Sequence, residues 1–393
     1  MKGLLDRQIM GQHRLSLKRF EDYLILAVGI LLALALRVSL FNFTTLDFSD
    51  FHGAWYDFIQ KNGGVWALKY PFSNNTPLYQ YLLVAASYAG LSAIQAVKLI
   101  PASFDFINAF FVYKIVRLRY PVGPAALYAL LVALFAPTIV LNSSFWGEID
   151  ILYTGCLVAC LYFLLTKRET AGMVAFGLAF SFKLQAVFLA PFLLILLLKR
   201  TISWKHFLLV PAVYLVTLVP AWLMGRPLPE LLLVYLGQTD KYQALSMNAP
   251  TPYLWLPNDL YDILYPAGLL WCAAIVFLFV VGVYKSQMRL TEERMVELAV
   301  LSVLVVPYML PKMHDRFFFP ADVVSIILGF YFPQRFYVPV VISLVSFFSY
   351  FPFLFGYEVI PLRYLALVLL ALIVLLIRHL GLALQIFKEN PGR

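Results

Sequence analysis

The segment TTLDFSDFHGAWYDF, Thr44 to Phe58, gathers Asp47, Asp50, Asp57 and His52 within fifteen residues, directly after the apolar run YLILAVGILLALALRVSLF. A carboxylate at the mouth of a low-dielectric cavity can act as general base toward a hydroxyl group. Asp47 and Asp50, three residues apart, can share one helical face. For Asp50 and Asp57 the plainer alternative is a helix cap or first-turn acid. The motif WGEID sets Glu148 and Asp150 at the start of another apolar run. Glu148 equally suits a helix N-terminus, whereas Asp150 lies deeper, where an ionisable group is functional by default. Lys183 interrupts a third apolar run with no acid beside it in the sequence; it either snorkels to the interface or meets an anionic group. PKMHDRFF joins Lys312, His314, Asp315 and Arg316, and arginine with histidine suits a phosphate. His52 is isolated in this reading and is assigned no role.

The elements that must position these residues are membrane helices. Of 393 residues 62% are hydrophobic and 13% charged, with mean hydropathy +0.82. A soluble domain carries about 25% charge. Apolar runs of membrane-spanning length recur throughout, so the chain reads as a polytopic, all-α integral membrane protein. The first run is too long for a signal h-region and no small-residue cleavage site follows it, so an uncleaved first span is expected. The net charge of +9 falls in short clusters between spans, which accords with membrane orientation rather than nucleic-acid binding. Cys156, Cys160 and Cys272 all lie in apolar runs and read as small buried residues.

Basic clusters at the N-terminus (Arg14, Lys18, Arg19), Arg117/Arg119, Lys167/Arg168, Lys199/Arg200/Lys205, Lys285/Arg289/Arg294, Arg335 and from Arg378 mark the cytoplasmic side. Alternation then predicts about twelve crossings with both termini cytoplasmic. The chain forms one membrane-embedded unit over 1–393: a cytoplasmic N-terminus (1–22), a first extracytoplasmic loop (44–97) with interfacial helices, and a second large extracytoplasmic loop (225–259). The run 171–200 has basic residues at both ends and is expected to break near Phe182–Lys183 into two short helices, as happens beside a wet, protein-walled cavity. This topology sends Asp47–Tyr81, 142–150, 237–259 and 311–318 to one outer face.

Carboxylates and separated cations on one membrane face, without a Walker, Rossmann or zinc pattern, fit an enzyme that deprotonates an acceptor while stabilising a departing phosphate. They equally fit a transporter or flippase for an anionic or lipid-linked solute, although no inverted repeat is apparent. A polymerase or ligase working on a lipid diphosphate is a third reading.

Read in order, the motifs resemble the GT-C superfamily of membrane glycosyltransferases that use polyprenyl- or dolichyl-phosphate sugars. The bacterial branch similar to the GPI mannosyltransferases and to the N-glycan-pathway glucosyltransferases is nearest. The motifs are Asp47-Phe48 with Trp55-Tyr56, NTPLYQYLL (75–83), WGEID with Glu148 where the family has Gln, Lys183-Leu184-Gln185 with Pro191, MNAPTPYLW (247–255), and His314 to Pro320. The resemblance covers about residues 44–320 and implies a GT-C-like fold with its cavity under the first outer loop. It implies inverting transfer of a hexose or pentose from a polyprenyl-phosphate donor to an acceptor hydroxyl, with Asp47 rather than Asp50 at the position of the family's base. By the same likeness Lys183, His314 and Arg316 would face the donor phosphate, and Trp55, Tyr56, Glu148, Asp150, Gln185 and Asn248 the sugars. A glycan, lipid or protein acceptor, a membrane-lipid environment such as a bacterial inner membrane, no obligatory metal or other cofactor and no nucleic-acid partner complete the expectation.

Overall fold

The structure, a computed structural model, describes residues 2–239 and 243–381, with side chains over 21–237 and 243–381. The side chains of Arg14, Lys18, Arg19 and of 238–239, the whole of 240–242 in the expected second extracytoplasmic loop, and the tail after Gly381 lie outside that description. Among the described residues the architecture is helical, and its strand content is one two-residue parallel pairing.

Among the described residues six helices are long and apolar enough to cross a membrane: Glu21–Leu40, Ala93–Arg119, Trp204–Leu223, Asn258–Lys285, Pro333–Phe355 and Leu362–Leu380. A seventh is counted if Ala125–Phe135 and Pro137–Trp146, bent by 46°, make one span. At 1.5 Å per residue a twenty-residue helix matches the roughly 30 Å hydrocarbon layer. The larger expected number of crossings includes helices such as Asp150–Leu165, Glu169–Phe182 and Phe319–Tyr331, which are too short to qualify by length. Those helices are the interior. Glu292–Met309 and Phe319–Tyr331 are buried along almost their whole length, while Glu21–Leu40 and Trp204–Leu223 present most of their apolar surface outward.

Breaks in the helices expose backbone and side chains toward one end of this bundle. Helix Glu169–Phe182 stops at Lys183, whose backbone is extended (φ −156°, ψ 138°), and a 3₁₀ turn, Leu184–Leu189, leads into Ala190–Leu198. Thr76 locks the segment that precedes helix Pro77–Tyr88 onto this break by donating its hydroxyl to the Ser181 carbonyl. On the other side, Pro137 removes one helix donor, and the chain widens into a π-type turn, Leu141–Trp146. That turn is anchored from behind. Arg37 Nε donates to Asp105 Oδ2 at 2.7 Å, and the Ser143 hydroxyl donates to the same oxygen at 2.6 Å. Arg37 also donates to the carbonyls of Ala33 and Leu134. A buried ion pair contributes position more dependably than net stability, and here the position it sets is that of the segment carrying Trp146.

Candidate active site

Asp47 sits in the first turn of a helical stretch that passes through a π-type turn, Phe48–His52, into helix Gly53–Lys61. Thr45 secures its entry, donating its hydroxyl to the Trp146 carbonyl at 3.3 Å. Trp146 returns the contact, its Nε1 donating to Asp47 Oδ2 at 2.9 Å. Gly147 then takes a left-handed conformation (φ 86°, ψ 24°) and turns the chain so that Glu148 enters the same space. A Cβ on Gly147 would lie 3.1 Å from Val97 Cγ1 and 3.3 Å from Lys98 Cδ. We predict that Gly147→Ala lowers stability by roughly 1–3 kcal/mol, since a left-handed L-residue costs about 1–2 and the crowding adds to it. Denaturant unfolding of the variant beside wild type measures this.

Arg316 is the hub. Its Nε lies 3.3 Å from Glu148 Oε2 and 3.5 Å from Asp150 Oδ2, and one terminal nitrogen lies 3.6 Å from Asp47 Oδ2. The guanidinium also stacks 5.2 Å above the Trp146 ring. Nε makes no aligned hydrogen bond despite two carboxylates within reach, so it is held by charge and packing. Lys183 Nζ donates to Asp150 Oδ1 at 2.5 Å, and Asn142 donates to Asp150 Oδ2 at 3.0 Å. His52 Nε2 stands 3.7 Å from Glu148 Oε1, and its Nδ1 is 3.3 Å from the Tyr79 hydroxyl. Of these residues, Asp47, His52, Glu148, Lys183 and Arg316 line a cavity of about 490 Å³, together with Trp55, Asn75, Gln185, Asn248, Lys312 and His314; Asp150, Asn142, Trp146 and Tyr79 stand behind that wall. Its far wall is made by two loops zipped in parallel: Ser246 pairs with Met313, and Met247 with His314. Asn248 bridges to His314 in a left-handed conformation (φ 59°) that asparagine tolerates better than most residues.

The charges are uneven. Burial, then the nearby Glu148 carboxylate, raises Asp47 to about 6, against the pull of Arg316 and Trp146. Burial also works against ionising Glu148, but Arg316 and His52 outweigh it and hold that carboxyl well below the usual range. Of the two neighbours, Glu148 therefore keeps the charge and Asp47 exchanges a proton near neutral pH. Burial raises Asp315 to about 7, opposed by Arg316. Arg316 itself stays firmly protonated, because Glu148, Asp150 and Asp47 more than offset its burial.

No family model and no curated protein sequence matches the chain. Solved structures do. ArnT from Cupriavidus metallidurans bound to undecaprenyl phosphate aligns with TM-score 0.56 over 91% of this chain and 71% of that one, at 18% identity. The same enzyme in the apo state aligns with TM-score 0.56 over 91% and 70%, at 16% identity. The chain has the fold of ArnT.

Within this fold several expected site residues are placed differently from the sequence reading. Lys183 does have an acidic partner: Asp150, 33 residues earlier in the chain, is brought to it by the packing of Asp150–Leu165 on Glu169–Phe182. Asp50 is exposed and does not line the cavity. The π-type turn over Phe48–His52 takes more residues per revolution than an α-turn, so position i+3 no longer returns to the face of Asp47. Tyr56 is fully buried and donates its hydroxyl to the Leu91 carbonyl at 2.5 Å, which makes it a tie between the first loop and the turn before Ala93–Arg119. Trp55 does line the cavity, its ring edge-on to His52 at 5.0 Å. The residues missed are His52, Tyr79, Asn75 and Trp146. Trp146 stands inside the motif WGEID, so its proximity to the acids was the one available signal.

Proposed function

We propose that the protein is an inverting glycosyltransferase that moves a hexose or pentose from a polyprenyl-phosphate sugar to an acceptor hydroxyl at the extracytoplasmic membrane face. One observation carries the reading. The Asp47 carboxylate shares a cavity with two cations held in place by ion pairs, Arg316 and Lys183, and burial raises its carboxyl to about 6. ArnT, which has this fold, was crystallised with undecaprenyl phosphate, a lipid monophosphate of the kind the donor would release.

In this reading Asp47 takes the acceptor's proton as the acceptor oxygen bonds to the anomeric carbon. The bond from that carbon to the phosphate oxygen breaks on the opposite face, and the electron pair leaves with the lipid phosphate. Arg316 and Lys183 face the charge that develops on the phosphate, and groups oriented before the reaction cost no reorganisation during it. Their carboxylate partners hold them in geometry until the phosphate shares them. The sugar, held between Trp55, Gln185 and Asn248, passes through an oxocarbenium-like state. The acceptor is a glycan, a lipid or a protein.

The test is consumption of donor by purified protein in nanodiscs, given undecaprenyl-phosphate carrying hexoses or pentoses and the corresponding undecaprenyl-diphosphate sugars. Release of undecaprenyl phosphate from a monophosphate donor supports the proposal. Use of diphosphate donors alone, or of none by protein that unfolds cooperatively, overturns it.

A further inference from the structure

Behind the cavity, a second polar cluster plays no part in the chemistry above. Asp322 lies in helix Phe319–Tyr331 and is 2% exposed. Neither of its carboxylate oxygens has an aligned hydrogen-bond partner. The hydroxyls of Thr138 and Ser346 are close enough to act on its carboxyl as donors, but neither makes an aligned hydrogen bond, and the buried hydroxyl of Tyr350 makes none either. Asp322 is the strongest of the charges acting on Tyr350. Among the described residues, the side chains that act on Asp322 are hydroxyls and not cations.

Such an arrangement is incomplete as it stands. A buried, unpaired carboxylate costs several kcal/mol, and each unsatisfied buried hydroxyl costs about 1–3 more. A proton on Asp322 would neutralise the charge and let the hydroxyls donate to the carboxyl, but it would supply only one donor to the lone pairs of three hydroxyl oxygens. A small cation satisfies them together by accepting lone pairs from all four residues. The donors are all oxygen, the set that hard cations take, and a single carboxylate balances a single positive charge.

We propose that Asp322, Thr138, Ser346 and Tyr350 form a binding site for an alkali-metal cation, buried among the helices that carry them. The cation ties together three elements: the short helix Pro137–Val140 after the 46° bend, Phe319–Tyr331, and Tyr337–Ser349. It also fixes Tyr350, whose ring packs edge-on against Trp146 at 5.5 Å, and Trp146 holds Asp47. The site is therefore a structural support lying beneath the candidate base, and it does not depend on what reaction the cavity performs.

Thermal unfolding of the purified full chain in detergent tests it, at constant ionic strength, with sodium, potassium, lithium or N-methylglucamine as the chloride salt. A ligand that binds only the folded state raises stability with the logarithm of its concentration above Kd. Wild type is expected to show that rise with at least one alkali cation and none with N-methylglucamine. Asp322→Asn should lose the response entirely, and Thr138→Val and Ser346→Ala should each move half-saturation upward by roughly tenfold, the worth of one ligand at about 1.4 kcal/mol. The two hydroxyl variants keep the test decisive where Asp322→Asn does not fold. Identical unfolding of wild type in all four salts overturns the proposal in favour of a protonated or hydrated carboxyl. An unchanged alkali response in Asp322→Asn or in both hydroxyl variants places the cation elsewhere and overturns it as well.

Discussion

Arg316→Leu is expected to reduce sugar transfer by a factor of a thousand or more and to destabilise the protein at the same time. The guanidinium lies within 3.3–3.6 Å of Glu148, Asp150 and Asp47, and its side chain is 15% exposed. Removing one partner of a buried ion pair costs about 3–5 kcal/mol, because the remaining charge stays buried and uncompensated. Loss of a group that stabilises developing charge costs about 10²–10³ in rate by itself, and misplacement of Asp47 adds to this. The pH dependence identifies the cause. Without Arg316, Glu148 loses its principal ionising partner, so its folded-state pKa rises and the folded variant binds a proton more tightly than the unfolded chain. The stability deficit should then be smallest at acidic pH and widen as pH rises toward 8. Arg316→Lys restores one positive charge but not the planar fork that reaches three acids, so it should recover stability more fully than transfer. Unfolding midpoints from pH 5 to 8 and donor turnover measure both; transfer within tenfold of wild type in Arg316→Leu would remove Arg316 from the reaction.

How far the sequence foretells this site depends on the distance over which residues meet. Helices were readable because membrane spans need long apolar runs, and the interruption at Lys183 was readable because basic residues flank a run of the wrong parity. Asp47, Glu148 and Arg316 were readable because their motifs are local clusters of charge in a chain poor in charge. The pairing of Lys183 with Asp150 was not, since it depends on two short helices packing side by side. His52 was passed over because nothing near it in sequence gives it a partner; Glu148 and Tyr79 arrive from other elements. The face on which Asp50 falls depends on the π-type widening of Phe48–His52, and hydrophobic periodicity carries no signal for an inserted residue in a helical turn. Asp322 illustrates the remaining limit. In sequence it is a first-turn acid in an apolar helix, and only packing shows that it is buried beside the hydroxyls of Thr138 and Ser346.

The clearest separation of chemistry from stability is expected in Asp47→Asn. The change keeps the shape of the side chain, and the asparagine oxygen still accepts the hydrogen bond that Trp146 donates to Asp47 at 2.9 Å. What is lost is the ability to take a proton, and a general base contributes about 10²–10⁴ in rate. Transfer should fall by that factor with donor binding little changed, while Asp50→Asn, at an exposed position outside the cavity, should remain near wild type. Wild-type transfer should climb as pH rises through about 6, where burial and Glu148 place the Asp47 carboxyl; the residual rate of Asp47→Asn should lack that limb. Stability moves the other way. Because burial raises the folded-state value above the ordinary 3.8, the folded protein holds this proton more tightly than the unfolded chain. Ionising Asp47 therefore costs stability as pH rises between about 4 and 6. Asp47→Asn removes that cost, so its unfolding midpoint at pH 8 should match or exceed that of wild type while its transfer is nearly gone. A variant that loses stability and activity together would mean that Asp47 holds the site in shape, and the base would have to be sought among the other acids around Arg316.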